Sequence, residues 1–593
     1  MFLRATHRRK DGKEHRYWSI VENRRVRRGR TVQKTVLYLG EINDAQQAGW
    51  CRTIDAIEGD RRIELSLFPD DRQPPPECRA VQVQMDRLAL SRPRQWGACW
   101  LALELWEQLA LDGFWQERLL PSREGTHWLN VLKTLVCYRL IDPGSEWRLH
   151  RHWFDHSAIA DLLGEDFGIA QKDTLYRCLD KVLEHKTGLF THLHERWATL
   201  FDVKHDVLLY DLTSTYFESD PPFGEEDKRK FGYSRDKRPD CVQVVVALIV
   251  TPEGFPLAYE VLAGNTADKT TLKDFLKKIE VQYGKASRIW VMDRGIPTEA
   301  VLQEMRQSDP PVWYLVGTPK GRLSRLEERL TTLAWQQVRE GVAVKLVPDE
   351  GELYVLAQSR DRVSKERAMR RRQLKILWKR LKQLQEMKPK RDALLLKLGA
   401  ARQQSPSAWR LVDLELPAPN GPLRFALRKD RLREARRREG RYLLRTNLTD
   451  TDPAKLWQFY MQLVRVEEAF RNLKGDLAIR PIHHQRQSRI EAHILVAFLA
   501  YCLHVTLAQR IKAHASGLTP RSVLEQLKAM QMLDVRVPTT DGRWLHMARY
   551  TQPDKTQQLL LATLALHLPP QPPPEITENQ TRHIHSCGED LAP

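Results

Sequence analysis

The chain has 593 residues, 42% of them hydrophobic, which argues for several domains and excludes wholesale disorder. Lys plus Arg total 95 against 76 Asp plus Glu; the formal net charge of +19 suits a polyanion such as nucleic acid, with plain solubility as the competing account. Eight dispersed cysteines without a C-x-x-C pair disfavour a zinc ribbon or disulfide scaffold, and the start MFLRATHRRKDGK lacks the apolar core of a signal peptide, so a soluble intracellular protein is expected.

Residues 1–40 alternate strand-like HRYWSIVE and TVQKTVLYLG with basic turns such as NRRVRRGR. A β-ribbon docked on phosphates and a solvated hairpin fit this segment equally well. In the linker FPDDRQPPPEC, Pro74 to Pro76 forbid helix. From about Trp96 to Phe201, apolar residues recur at three- and four-residue intervals, which predicts a helical domain, either DNA-binding or a packed platform.

The texture changes at DVLLYDLTSTYF. This segment, CVQVVVALIVT and FPLAYEVLAG read as strands, TTLKDFLKKIEVQYG as an amphipathic helix, and RIWVMD as a buried strand ending in Asp293. PTEAVLQEMRQ then opens a helix with Pro297 at a first helical position. Strands, a crossover helix and another strand make an α/β layout. Asp211 is the oddity: a carboxylate inside an apolar strand must be neutralised, paired or bound to a metal.

Between 318 and 440 the strand-like LYVLAQS and LRFALRK flank a basic helix whose Leu374, Leu377, Leu381 and Leu384 form a packing stripe. Its charged face fits a DNA backbone or solvent equally. One long helix is predicted, opened by Asp452-Pro453 or Thr451 and running through KLWQFYMQLVRVEEAFRNLKGD. ILVAFLAYCLHVTLA is shorter than the ~20 residues of a membrane span and reads as a buried helix. The proline-rich tail, with His583, His585 and Cys587, is expected to be disordered, and a metal site there is disfavoured.

Three acids stand out. Asp211 and Asp293 sit at or near the ends of apolar strand runs, and Glu467 lies in VRVEEAFRNLK. Carboxylates without a His/Cys cluster suit Mg²⁺ or Mn²⁺, and two such ions serve phosphoryl transfer. At about 100° per residue, Tyr460, Leu463, Glu467, Arg471 and Lys474 share one stripe within roughly ±40°. A salt-bridged Glu467–Arg471 i,i+4 pair explains that stripe equally well.

LLYDLTSTYFE, VMDRG and YMQLVRVEEAFRNLKGDLAIRPIHH resemble the three signature blocks of DDE transposases from bacterial insertion sequences, in the branch with an insertion between the second Asp and the Glu. GYSRDKRPDCVQVVVALIV, LAGNTADKTTL, GRYLLRTNL and RIEAHILVAFLAYCL also match, and the likeness covers most of residues 1–550. The resemblance implies an RNase H-like mixed sheet flanked by helices, holding two Mg²⁺ or Mn²⁺ ions through Asp211, Asp293 and Glu467. It divides the chain into a basic β-rich region (1–75), a helical domain (76–200), a first part of the core (201–317), an α+β insertion (318–440), a second part bearing the Glu helix (441–568) and a tail (569–593).

The implied activity is cleavage at the element ends, then attack of the freed 3′-hydroxyl on target DNA, often with a hairpin on the flanking strand. The partners would be double-stranded DNA, at the terminal inverted repeats and the target, and a second copy of the chain in a DNA-bound dimer. The location would be the bacterial cytoplasm, at the nucleoid and not in a membrane. A nuclease that cuts without strand transfer, or a transposase-derived DNA-binding repressor, are the alternatives. The family's Y-R-E-K signature on the Glu helix is matched by Tyr460, Glu467 and Lys474, but Leu463 holds the Arg position. Arg471 is the expected substitute in contacting DNA beside Tyr460 and Lys474; Arg465 points almost oppositely. Tyr460 and Trp335 are candidates to stack on a flipped base, with core packing the usual use of Trp.

Overall fold

The computed structural model describes residues 1–577 apart from 11–12, 26–30, 60–81, 204–205, 219–223, 225, 235, 237, 267–276, 282–287, 294–296, 319–332, 350, 388–389, 416–422, 449–451 and 516. The proline-rich linker, most of the TTLKDFLKK helix and the His583/His585/Cys587 tract lie outside the described residues.

The N-terminal segment is an antiparallel sheet of β1 (Phe2–Lys10), β2 (Lys13–Arg25) and β3 (Thr31–Gly40), in that order. Alternation buries Trp18, Ile20, Leu37 and Leu39 on one face. A helix that the sequence reading did not isolate, Asp44–Gly59, contributes Trp50 and Ile54, one turn apart, to the core. Trp50 Nε1 donates to the His514 carbonyl at 3.1 Å, tying this segment to the C-terminal half.

Around 97–201, helices Gly97–Gln108, Trp128–Ile141 and Lys172–Val182 pack on one long helix, Gln487–Lys512. That helix has 26 residues and is long and apolar enough to cross a membrane, yet 94% of its apolar window is buried inside the protein. It serves as the shared core of the helical region and the sheet. Strand β4 (Ala89–Gln95) joins a separate sheet with C-terminal strands Gln531–Pro538, Trp544–Tyr550 and Glu575–Thr577. The tail expected to be disordered from 569 is therefore ordered at least to 577, where it supplies an edge strand.

The main sheet contains β5 (Val207–Phe217), β6 (Val242–Val250), β7 (Pro256–Ala263), β8 (Ile289–Met292) and β9 (Trp313–Gly317), in spatial order 9-8-5-6-7. β5, β6 and β7 run antiparallel in sequence, whereas β8 is parallel to β5 and β9 to β8. This is the RNase H-like arrangement. All nine residues of β6 are buried, as an apolar run covered on both faces requires.

The insertion does not stand wholly apart. β10 (Gln336–Arg339), β11 (Val342–Asp349), β12 (Glu352–Ser359) and the later β15 (Arg441–Thr446) extend the same sheet beyond β9, giving nine strands among the described residues. Helices Arg360–Met387, Arg391–Gln404 and Pro406–Trp409, with the hairpin of β13 (Val412–Glu415) and β14 (Arg424–Leu427), form a satellite. Its core packs Leu377, Leu381 and Leu384 against Leu394, Leu398 and Ala401, so the leucine stripe is packing, as expected.

Two helix expectations need correction. The helix after Asp293 runs from Glu299 to Gln307, and the Thr298 side chain accepts from Val301 N at 3.2 Å. Pro297 thus precedes the cap instead of occupying the first helical position. The single long helix is two, Pro453–Met461 and Val464–Lys474. Between them Leu463 N bonds Tyr460 O and Val466 N bonds Leu463 O, both at 3.1 Å. These i→i−3 bonds tighten the chain locally and rotate the faces on either side relative to a uniform 100° projection.

Candidate active site

Strand pairing brings the first two acids together. In the parallel β5–β8 pair, Tyr210 lies opposite Met292, so Asp211 and Asp293 each follow one residue later on neighbouring strands. Neighbouring strands lie about 4.8 Å apart. Asp211 is partly exposed within an otherwise buried stretch, and its Oδ1 accepts from Leu212 N at 2.8 Å. Asp293 is exposed at the strand end.

The third acid arrives on a helix. Val464–Lys474 packs on β5 and β6 through Val466, Ala469, Phe470 and Leu473, all buried. Glu467, on the opposite flank, is exposed. Asp211, Asp293 and Glu467 line one pocket of about 220 Å³ with Arg362, Tyr442, Tyr460 and Leu463. Its acid donors are all carboxylate oxygens, with no His or Cys among the described lining residues, a set suited to hard divalent cations.

The flanking residues fall differently from the helical projection. Tyr460 lines the acid pocket and lies 5.7 Å from Tyr442, ring centroid to centroid. Arg471 does not line it. It is 76% exposed, stands 3.7 Å from Glu468, and lines a separate groove with Arg465 and Glu468. Arg465 pairs with the same Glu468 at 2.9 Å, which accounts for that acid as a structural one. The expectation that Arg471 shares the pocket of Glu467 is therefore not met: a further 40° of rotation and the helix's packing take it out of the pocket.

Lys474 is mostly buried and donates to Asp236 Oδ1 at 2.7 Å, and Arg480 pairs with the same carboxylate. Asp236, left out of the sequence-based site as a loop residue, is thus a buried anchor for the end of the Glu helix. Trp335 is partly exposed, with Lys345 Nζ 4.9 Å from its ring, and does not line the acid pocket.

A second polar cluster lies elsewhere. Glu146, His484 and His493 present candidate ligand atoms within 4.8 Å of one another. Glu146 Oε1 lies 3.1 Å from His493 Nδ1 and 3.3 Å from His484 Nε2. However, the buried Arg139 guanidinium stands 3.7 Å from Glu146 and 3.4 Å from His493 Nδ1, so the cluster already holds its own cation. Burial alone would raise the Glu146 carboxyl, but hydrogen bonds from the two histidines hold it well below the ordinary range. Burial, aided by Arg139, pushes His493 down to about 4. The Glu146 carboxylate and the Arg139 guanidinium balance each other's charge within the cluster. This network was missed by sequence reasoning; its visible traces are the histidines of RPIHH and EAHI.

Comparison with known proteins agrees with this architecture. The transposase DDE domain family matches residues 202–503, more than half of the chain, so the protein belongs to the DDE transposases. The N-terminal domain of IS1634 family transposases matches residues 3–62, which places the β1–β3 sheet and its helix in an insertion-sequence context. One solved structure, described as the cryo-EM structure of a piggyBac transposase synaptic complex with hairpin DNA, is 9% identical and covers 76% of this chain and 82% of that chain. Its TM-score of 0.34 is too low to carry an argument. No curated protein matches the chain.

Proposed function

We propose that this transposase cuts DNA at the ends of its insertion sequence and joins the freed 3′-hydroxyl to target DNA, using Asp211, Asp293 and Glu467 as its metal-holding acids. The observation that carries the reading is the convergence of these three residues on one pocket from two neighbouring strands and one helix. Two Mg²⁺ or Mn²⁺ ions bound there would supply Lewis acidity toward the attacking and departing oxygens of a phosphodiester.

The chain's own residues do the positioning. The buried β5–β8 pair holds two carboxylates side by side, and the apolar face of the Glu helix fixes the third. Tyr460, on the pocket wall, offers a stacking surface for a base or sugar next to the scissile phosphate. Lys474 acts through Asp236, keeping the helix end in place, while exposed Arg471 contacts flanking DNA backbone. Two ends must meet, so the working form is a dimer assembled on DNA, acting at the bacterial nucleoid.

The test uses purified protein, duplex DNA from the two ends flanking its gene, and Mg²⁺, with cleaved and joined strands mapped on sequencing gels. Cleavage and joining are expected in the native protein and in none of Asp211→Asn, Asp293→Asn and Glu467→Gln. Precut ends that are never joined would instead make the protein a nuclease. Binding without any strand cleavage would make it a repressor.

A further inference from the structure

Among the described residues, the pocket of the three acids has one cation in its wall, and that cation comes from the insertion. β12 runs antiparallel to β15, with Ala357 opposite Tyr442. At the strand end Ser359 N bonds Gly440 O at 3.0 Å and Arg360 N bonds Gly341 O at 2.8 Å. The chain then turns into helix Arg360–Met387, and its first turn sets the Arg362 guanidinium 5.0 Å from the Tyr442 ring centroid. Nε donates to Glu366 Oε1 at 2.8 Å, one turn along the same helix. Stacking and this ion pair together restrain the plane of the fork. Its side chain remains 49% exposed, and among the described residues Nη1 and Nη2 hold no hydrogen bond.

A half-exposed guanidinium aimed at solvent is ordinary. This one borders three carboxylates that would hold divalent cations, so the group completing the pocket would be an anion within reach of the guanidinium. A DNA phosphodiester has that chemistry. On the Glu helix itself the corresponding wall is apolar, because Leu463 lines the pocket, and both nearby arginines of that helix, Arg465 and Arg471, are engaged with Glu468 in the other groove.

We propose that Arg362 binds the DNA phosphate presented to the acid pocket, so that the insertion completes the active site. The inference rests on the transposase reading above. The insertion is then a part of the catalytic apparatus, and the Arg362–Tyr442–Tyr460 contacts link it to helix Pro453–Met461, which leads into the Glu helix.

The test measures single-turnover cleavage of the element-end duplex with Mn²⁺, and DNA binding against salt, for the full-length protein and its variants. Arg362→Ala is expected to slow cleavage about 100-fold, as loss of one preorganised donor to a developing charge does. It should also lower the salt slope of binding by about 1 and leave the melting temperature unchanged. Arg402→Ala, which removes an exposed arginine of the insertion that does not line the acid pocket, should leave the cleavage rate unchanged. Leu463→Arg in the Arg362→Ala background should recover at least about tenfold in rate, because it returns a guanidinium to the same pocket from the opposite wall. An Arg362→Ala protein that cleaves at the native rate, or a defect that Leu463→Arg leaves untouched, overturns the assignment. Asp211→Asn separates the two claims: if it too cleaves normally, the function reading itself fails.

Discussion

Replacing Glu146 by Gln removes the carboxylate that faces Arg139 in the core. Arg139 is almost fully buried, and Glu146 lies between it and two buried histidines. Gln keeps the shape and accepts one hydrogen bond, yet the guanidinium loses its counter-charge in a buried site. Breaking a buried pair from one side costs about 3–5 kcal/mol, because the remaining charge stays desolvated. For a cooperative unit of a few hundred residues this corresponds to a fall in melting temperature of about 6–10 °C. The double variant Arg139→Met/Glu146→Gln removes both charges and should recover most of the loss, since a buried pair and an apolar replacement of similar volume are often equivalent. Scanning calorimetry at pH 7.5 on the native protein, both singles and the double makes the comparison. A single Glu146→Gln variant within about 1 kcal/mol of the native protein, or a double no better than the single, would refute the charge-balance argument. So would stoichiometric zinc that copurifies with the native protein and is lost in His493→Ala.

Acid sensitivity should appear well above the carboxylate range. His493 and His504 are buried and pushed down to about 4, so each is neutral in the fold while the unfolded chain protonates near 6.5. The unfolded state binds more protons between those values, so stability is complete above 6.5 and drains as pH falls toward 4, by about 3 kcal/mol per histidine. Melting temperatures that stay flat from pH 7 to 4.5 would contradict this. In the acid pocket, Mn²⁺ or Ca²⁺ should raise the melting temperature of the native protein, and the rise should vanish in Asp211→Asn and Asp293→Asn; equal shifts in all three would place metal binding elsewhere. Asp236→Asn leaves Lys474 and Arg480 facing a neutral partner and should destabilise by about 3 kcal/mol, whereas Glu218→Gln, which touches the exposed Arg238, should leave the melting curve unchanged. Equal melting curves for the two variants would show that the Asp236 anchor is not structural.

What could be read from the linear chain was whatever one element states about itself. Val207–Tyr210 and Trp290–Met292 announce buried strands, each followed at once by an acid, and the leucine stripe of 374–384 announces a packed helix. The motif blocks around those acids also gave the family and the α/β core. Convergence is a different kind of fact. Asp211 and Asp293 are neighbours because β8 pairs parallel to β5 in one register, and a shift by one residue would turn one of the carboxylates to the other face. Arg471 and Lys474 follow Glu467 on the same helix yet stay out of the pocket, because that helix packs on β5 and β6 and their partners are Glu468 and Asp236. Arg362 was one arginine among many on a basic helix, and only the β12–β15 pairing delivers it to the acids. Asp236 read as a loop acid and Glu146 was not singled out, because burial of a charge depends on partners brought from distant segments. Periodicity within an element reports its own faces; which faces meet is decided by the long-range pairing and packing of the whole chain.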